Sequence, residues 1–275
     1  MTAGTRALTC GFALAGSVRA LPNLLAVPRT RASGDRAPSP RVLAHRGART
    51  VAPENTLEAF RIALEQHSDG VELDVHRTND DGLVVHHDAD AIGLGVLADV
   101  SGDAIRAERP DIPTLGEVLD ACAGSLVNIE IKNLPGDADY DDSHRAAELV
   151  VELLDERSRR DDVIVSSFNL STVNRVRRLD EHVPTAFLVM LGIDAFDALL
   201  LCEDHGHAAL HPFAAMLTDD AGPAIVERAH ELEIAVNVWT VNDEREMRRL
   251  ALADVDGIIT DVPDIARRVI DAMSA

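Results

Sequence analysis

LAHRGARTVAPENTLEAFRIALEQHSDGVELDVHRTNDDGLVVHHD, residues Leu43 to Asp88, carries two kinds of periodicity in one stretch. A short β-type run, Val42–Ala44, comes first. Leu57–Gln66 then repeats apolar residues at helical spacing behind a capping Asn55 or Thr56. Further apolar runs follow at Val71–Val75 and Leu83–His86. Strand, helix, strand is the unit of a parallel sheet. The link between the second and third runs differs, because Asn79-Asp80-Asp81-Gly82 is too short for a parallel crossover and suits a hairpin. The third run is therefore expected to return antiparallel along the second. With Asp80 and Asp81 as the loop, His87 stands opposite Asp74. A loop at Asp81-Gly82 would shift the pairing by two residues and keep both groups at the same end.

The alternation continues to the end of the chain. Further β-type runs are Leu126–Ile131, Val163–Phe168, Ala186–Leu191, Ala208–Leu210, Ala235–Thr240 and Gly257–Thr260. Amphipathic stretches between them are Leu115–Ala123, His144–Arg157, Ser171–Asp180, Ala195–Asp204, Pro223–Leu232 and Asp243–Leu252, with Thr114, Ser143 and Asn242 as candidate caps. The runs are β-branched and nearly continuous in apolarity, as strands buried on both faces should be. Nine candidate strands are one more than a closed eightfold barrel needs, and the hairpin strand is the surplus. The expected fold is an α/β TIM-type (β/α)8 barrel with a short antiparallel return strand after the second strand. An open doubly wound sheet is the alternative.

The chain has 275 residues, 46% apolar but only 3% aromatic, so Val, Leu, Ile and Ala must build the core. A single barrel domain over residues 41–275 is consistent with that length. The net charge of −21 argues against nucleic acid or an anionic bilayer as partner. Cys10, Cys122 and Cys202 are far apart and suggest neither a disulfide framework nor a zinc site, so they read as reduced, buried thiols. No apolar run reaches the roughly 18 residues that span a bilayer, so no stable membrane insertion is expected. Residues 1–40 differ from the rest, holding five arginines against one acid, Asp35. They read as a disordered extension or an early-assigned start. The uncharged run Ala7–Val18 also has some signal-peptide character. A cytoplasmic location is the expectation, with export as the alternative.

Polar residues gather at the ends of the strands, where barrel enzymes place their sites. His45 and Arg46 follow the first run; Glu72 and Asp74, two apart, share one face of the second. His86, His87 and Asp88 end the return strand, and Glu130 and Lys132, the only lysine, share a face of the next. Three carboxylates in one barrel mouth repel one another unless a cation sits among them, and an all-oxygen set favours one hard divalent ion, Mg²⁺ or Ca²⁺. Arg46 and Lys132 suit an anionic substrate such as a phosphodiester, and two histidines can act as general acid and base. Each feature alone is commonplace. Their coincidence at one end of successive strands is not.

At these residues the chain resembles the glycerophosphodiester phosphodiesterase family, through the HRG, PENT, E-x-D and H-D elements between Leu43 and Asp88. IPTLGEVL, NIEIK, VSSF, VNVWTVND and GIITDVP match further segments in order, and the resemblance runs from Val42 to Pro263. It implies a barrel of the phospholipase C-like phosphodiesterase kind that hydrolyses glycerophosphodiesters to sn-glycerol 3-phosphate and an alcohol. It also implies His45 and His87 as the acid/base pair and Glu72, Asp74 and Glu130 as metal ligands. Arg46 and Lys132 would contact the phosphate, and Glu54 would lie near the metal or the glycerol. Phe168 and Trp239 would form an apolar wall beside the glycerol carbons, although simple core packing also explains them. The segment after His87, ADAIGLGVLADVSGDAI, lacks an arginine often found there and is too short for a large insertion over the mouth. Two rivals follow: a related barrel phosphodiesterase acting on lysophospholipids, and an inactive phosphodiester-binding barrel. The first usually needs an apolar groove, and no exposed aromatic or Leu-rich loop is expected.

Overall fold

Hydrogen-bonded strands close a ring in the computed structural model, which describes residues 39–218 and 220–274. In chain order, β1 (Arg41–His45) leads through α1 (Leu57–Glu65) to β2 (Gly70–Arg77), and β3 (Leu83–Val85) returns along it. A small hairpin, β4 (Asp90–Ala91) and β5 (Gly95–Val96), precedes α2 (Gly102–Glu108), α3 (Leu115–Ala121) and β6 (Leu126–Ile131). Strand–helix units follow: α4 (Arg145–Glu156), β7 (Val163–Ser167), α5 (Leu170–Leu179), β8 (Thr185–Val189), α6 (Ala195–His205) and β9 (Ala209–Pro212). The chain ends with α7 (Gly222–Glu231), β10 (Ala235–Val238), α8 (Glu244–Leu252), β11 (Gly257–Thr260) and α9 (Pro263–Ser274).

The sheet order is β1-β11-β10-β9-β8-β7-β6-β2, and β1 pairs with β2 to close it. Closure makes this a TIM-type (β/α)8 barrel and excludes the open doubly wound sheet, which would leave two free edges. The surplus strand is β3. Strand β6 occupies one edge of β2 from Gly70 to Val75. On the other edge β1 pairs at Gly70–Glu72 and β3 pairs at Val75–Arg77. The ends of β1 and β3 therefore approach each other from opposite directions, with Leu73 and Asp74 between them.

Inside-out alternation separates core from site. On β2, Val71, Leu73 and Val75 join a buried aliphatic cluster with α1, α3 and α4, while Glu72, Asp74 and His76 occupy the other face. A second aliphatic cluster lies between β8–β11 and α6–α9. Each such Val, Leu or Ile stabilises the fold by about 1.5–3 kcal/mol through removal from water.

The hairpin register differs from the expectation by one residue. Val75 faces Val85 and His76 faces Val84, which sets His86, not His87, opposite Asp74; the His86 amide donates to the Asp74 carbonyl at 3.1 Å. The cause is a three-residue loop. Thr78 N–H donates to the Gly82 carbonyl at 2.9 Å, and Asp81 takes a left-handed φ of 63°. Other details also depart from the sequence reading. Thr56 and Thr114 cap their helices, but His144 rather than Ser143 is the cap residue of α4, and Asp243 rather than Asn242 caps α8. The helices α2 and α9 and the β4–β5 hairpin were not expected. Cys122 and Cys202 are free and buried. The expectations for Cys10 and the N-terminal leader lie outside the described residues. No helix among the described residues is long and apolar enough to cross a membrane.

Candidate active site

A cavity of about 520 Å³ opens at the C-terminal ends of the strands. Its charged wall comes from β1, β2, the loop after β3, and β6. His45 and Glu72 are direct neighbours in the β1–β2 ladder, as Asp74 and Glu130 are in the β2–β6 ladder. Ladder registry thus assembles the acids from remote stretches of chain. Ligand atoms of Glu72, Asp74 and Glu130 lie within 4.8 Å of one another, and all three residues are buried.

Such a cluster is electrostatically unfavourable by itself. Burial, then Asp74 and Glu130, push the Glu72 carboxyl well above the usual carboxylate range. Burial likewise pushes Glu130 up to about 7, with Asp74 adding to the shift and Lys132 opposing it. Burial also acts on Asp74, but Lys132, Arg46 and His87 outweigh it and hold that carboxyl below its ordinary value. Asp74 Oδ1 is nevertheless buried without a hydrogen-bond partner. Two carboxyls whose burial and mutual repulsion oppose their charge, beside an Asp74 oxygen with no hydrogen bond, fit a divalent cation. The oxygen-only donor set suits a hard ion.

Two cations brace the acids. Lys132 Nζ lies 3.0 Å from Glu130 and 3.5 Å from Asp74. Burial lowers its pKa, yet Glu130 and Asp74 outweigh that and hold the ammonium well above its ordinary value. Arg46 has a left-handed φ of 56°, and its amide donates to the Glu72 carboxylate at 3.0 Å. Its guanidinium lies between Asp74, at 3.1 Å, and Glu54, at 2.9 Å. Glu54 also pairs with Arg49 at 2.7 Å and does not line the cavity, so its contact with the site runs through Arg46.

Each histidine has a carboxylate at Nδ1. His45 donates to Asp261 at 2.7 Å, and Asp261 in turn accepts from the Asn242 side chain at 2.6 Å. His45 Nε2 is left facing Glu72 at 4.0 Å. His87 donates to its neighbour Asp88, also at 2.7 Å. Burial lowers the His87 pKa, Lys132 and Arg46 reinforce this, and Asp74 opposes it. His87 lines the cavity, whereas His86, whose amide is still hydrogen-bonded to β2, does not. The sequence gives Asp261 and His76 no role, and Asn242 only that of a candidate helix cap. The available signal for Asp261 was its place one residue beyond β11, at the same end as the other polar groups.

The opposite wall is apolar. Phe168, Leu188, Met190 and Trp239, at or beyond the ends of β7, β8 and β10, line it. Phe168 and Trp239 meet edge to face with ring centroids 5.3 Å apart, and the indole N–H donates to the His211 carbonyl at 2.8 Å. This wall continues outward. Met190 and Leu191 are 52% and 66% exposed and form a small apolar lip beside the mouth.

A sequence profile of the Glycerophosphoryl diester phosphodiesterase family matches residues 45–265. A glycerophosphodiester phosphodiesterase of Caldanaerobacter subterraneus is 34% identical over 247 residues, covering 81% of this chain and 94% of that protein. Among solved structures, a glycerophosphodiester phosphodiesterase from Thermotoga maritima superposes with a TM-score of 0.73 at 27% identity, covering 85% of this chain and 100% of the other. An Oleispira antarctica phosphodiesterase in complex with the product sn-glycerol-3-phosphate shares the fold, with a TM-score of 0.73 at 24% identity over 85% of this chain and 97% of the other.

Proposed function

Since this chain belongs to the glycerophosphoryl diester phosphodiesterase family, we propose that it hydrolyses glycerophosphodiesters to sn-glycerol 3-phosphate and an alcohol, with His45 and His87 as acid and base. One observation carries this reading: a single cavity is lined by both histidines, by Glu72 and Glu130, and by Arg46 and Lys132. Glu72, Asp74 and Glu130 would hold a divalent cation, Mg²⁺ or Ca²⁺, whose contribution when bound is Lewis-acid polarisation of a phosphoryl oxygen.

The chain's own residues supply the rest. Asp261 fixes a proton on His45 Nδ1, which leaves Nε2 able to take a proton from the attacking hydroxyl or to give one to the leaving alcohol. Asp88 does the same for His87. One ring removes a proton and the other gives one up, and proton exchange with water then restores the starting protonation of the pair. Arg46 and Lys132 place positive charge where the phosphoryl oxygens gather negative charge. Phe168 and Trp239 offer an apolar surface to the glycerol carbons. The experiment is release of glycerol 3-phosphate from several head-group esters, with and without chelator. Chelator-sensitive release is expected, and protein inert with Mg²⁺, Ca²⁺ and Mn²⁺ on every ester would refute the reading.

A second substrate reading is favoured by the apolar lip. Leu188 and Met190 line the cavity, and Met190 and the next residue, Leu191, are exposed, an apolar surface that an acyl chain on the glycerol could cover. Relative rates on glycerophosphocholine and lysophosphatidylcholine separate the two. A clear preference for the acylated substrate supports the second reading, and no turnover of it excludes that reading.

A further inference from the structure

Strand β2 carries a third polar residue on its inward face, one more two-residue step beyond Glu72 and Asp74. This is His76, 2% exposed and part of the cavity lining. Its Nδ1 lies 2.5 Å from Oδ2 of Asp139, and its Nε2 lies 3.2 Å from the backbone carbonyl of His87. The ring thus bridges the Asp139 carboxylate and the His87 carbonyl. Asp139 is 4% exposed and belongs to the loop between β6 and α4, whose Leu134, Asp137 and Ala138 line the cavity. Its other oxygen, Oδ1, is buried with no hydrogen-bond partner. A buried carboxylate in that condition depends on the partner it does have.

The position of His87 needs such a partner. Strand β3 stops at Val85, and the ladder register addresses His86 rather than His87 to Asp74. His87 therefore lies beyond the backbone pairing that positions Glu72, Asp74 and Glu130. The bond from His76 ties it back to β2, the strand that also carries Glu72 and Asp74.

We propose that His76 and Asp139 are positioning residues for the reaction, setting the His87 imidazole at its distance from the carboxylate triad and joining the two loops that flank it. The proposal rests on the acid–base role of His87 given above. Displacement of a reacting group by about 1 Å can cost roughly a hundredfold in rate. A tie with a purely structural role would destabilise the barrel without depending on His87.

A double-mutant cycle separates these possibilities. Steady-state kcat and KM on glycerophosphocholine are measured for wild type, His76→Leu, Asp139→Asn, His87→Ala, and each of the first two combined with His87→Ala. His76→Leu is expected to lower kcat about tenfold to a hundredfold with KM little changed, and Asp139→Asn to act in the same direction by less. Neither should lower kcat further once His87 is Ala. Equal losses in both backgrounds, or unchanged kcat in His76→Leu, overturn the proposal. If His87→Ala alone keeps near-normal activity, the acid–base reading fails first and this proposal falls with it. Should His76→Leu not fold, as judged by circular dichroism, Asp139→Asn completes the same cycle.

Discussion

The two walls of the barrel mouth are built by different rules. The wall from β1, β2 and β6 is set by strand registry: His45 beside Glu72, and Asp74 beside Glu130, are ladder neighbours. Its groups are buried, charged and mutually constrained. The wall from β7, β8 and β10 consists of Phe168, Leu188, Met190 and Trp239, and it runs into an exposed lip. The first wall is suited to chemistry at a phosphate. The second is suited to discriminating among substrates by their apolar parts. Changes in the charged wall should therefore alter turnover of every substrate, and changes in the apolar wall should alter preference among substrates.

The largest effect should come from the histidines. His45→Ala or His87→Ala should lower kcat by about 10²–10⁴, the usual contribution of general acid–base catalysis. The loss should be similar for glycerophosphocholine and lysophosphatidylcholine, and selectivity between them measured in either variant would break the comparison. Glu130→Gln should act in the same range and weaken the response to added divalent ion, read as activity against metal concentration.

Asp261→Asn should have a smaller effect. It keeps the shape but removes the carboxylate that fixes the His45 tautomer, and residues that orient a functional imidazole in this way are worth about 10–100-fold. Lowered kcat with little change in KM is expected; an unchanged pH–rate profile with full activity would remove Asp261 from the mechanism. On the apolar wall and its rim, Met190→Ser and Leu191→Ser should leave glycerophosphocholine turnover unchanged. They should raise KM for lysophosphatidylcholine by about tenfold or more, from the roughly 1.5–3 kcal/mol that burying such side chains contributes. Equal effects on both substrates would erase the distinction between the walls.

The smallest effect is on stability. The Glu130 carboxyl is pushed up from an ordinary 4.5 to about 7, chiefly by burial. The folded state thus binds that proton more tightly than the unfolded chain, and the associated stability is lost as pH rises through this window. Asp74 shifts the other way from 3.8, so its contribution is already in place across the same range. Metal-free protein should therefore lose more melting temperature between pH 5 and 8 than Glu130→Gln does, by on the order of a few degrees. Saturating Mg²⁺ or Ca²⁺ should remove the difference. An identical pH dependence in both proteins would show that burial of the cluster carries no such cost.

Much of the charged wall was legible in the sequence because its signals are local. The two-residue step from Glu72 to Asp74, the same step from Glu130 to Lys132, and the alternation of strand and helix are all short-range patterns. They imply a barrel and an acidic mouth by themselves. The hairpin offset was not legible, because it depended on a left-handed φ at Asp81 that converts a two-residue loop into three. Nor was the lip, since exposure of Met190 and Leu191 depends on what packs above β8. His45 and Asp261 are 216 residues apart, and His76 and Asp139 are 63 apart. Sequence alone determined the eight barrel strands and the polar face of β2, and it set His45 and His87 at the same end of the strands. Tertiary structure decided that His45 meets Asp261 and His76 meets Asp139, because only the ladder register and the loop conformations set those separations.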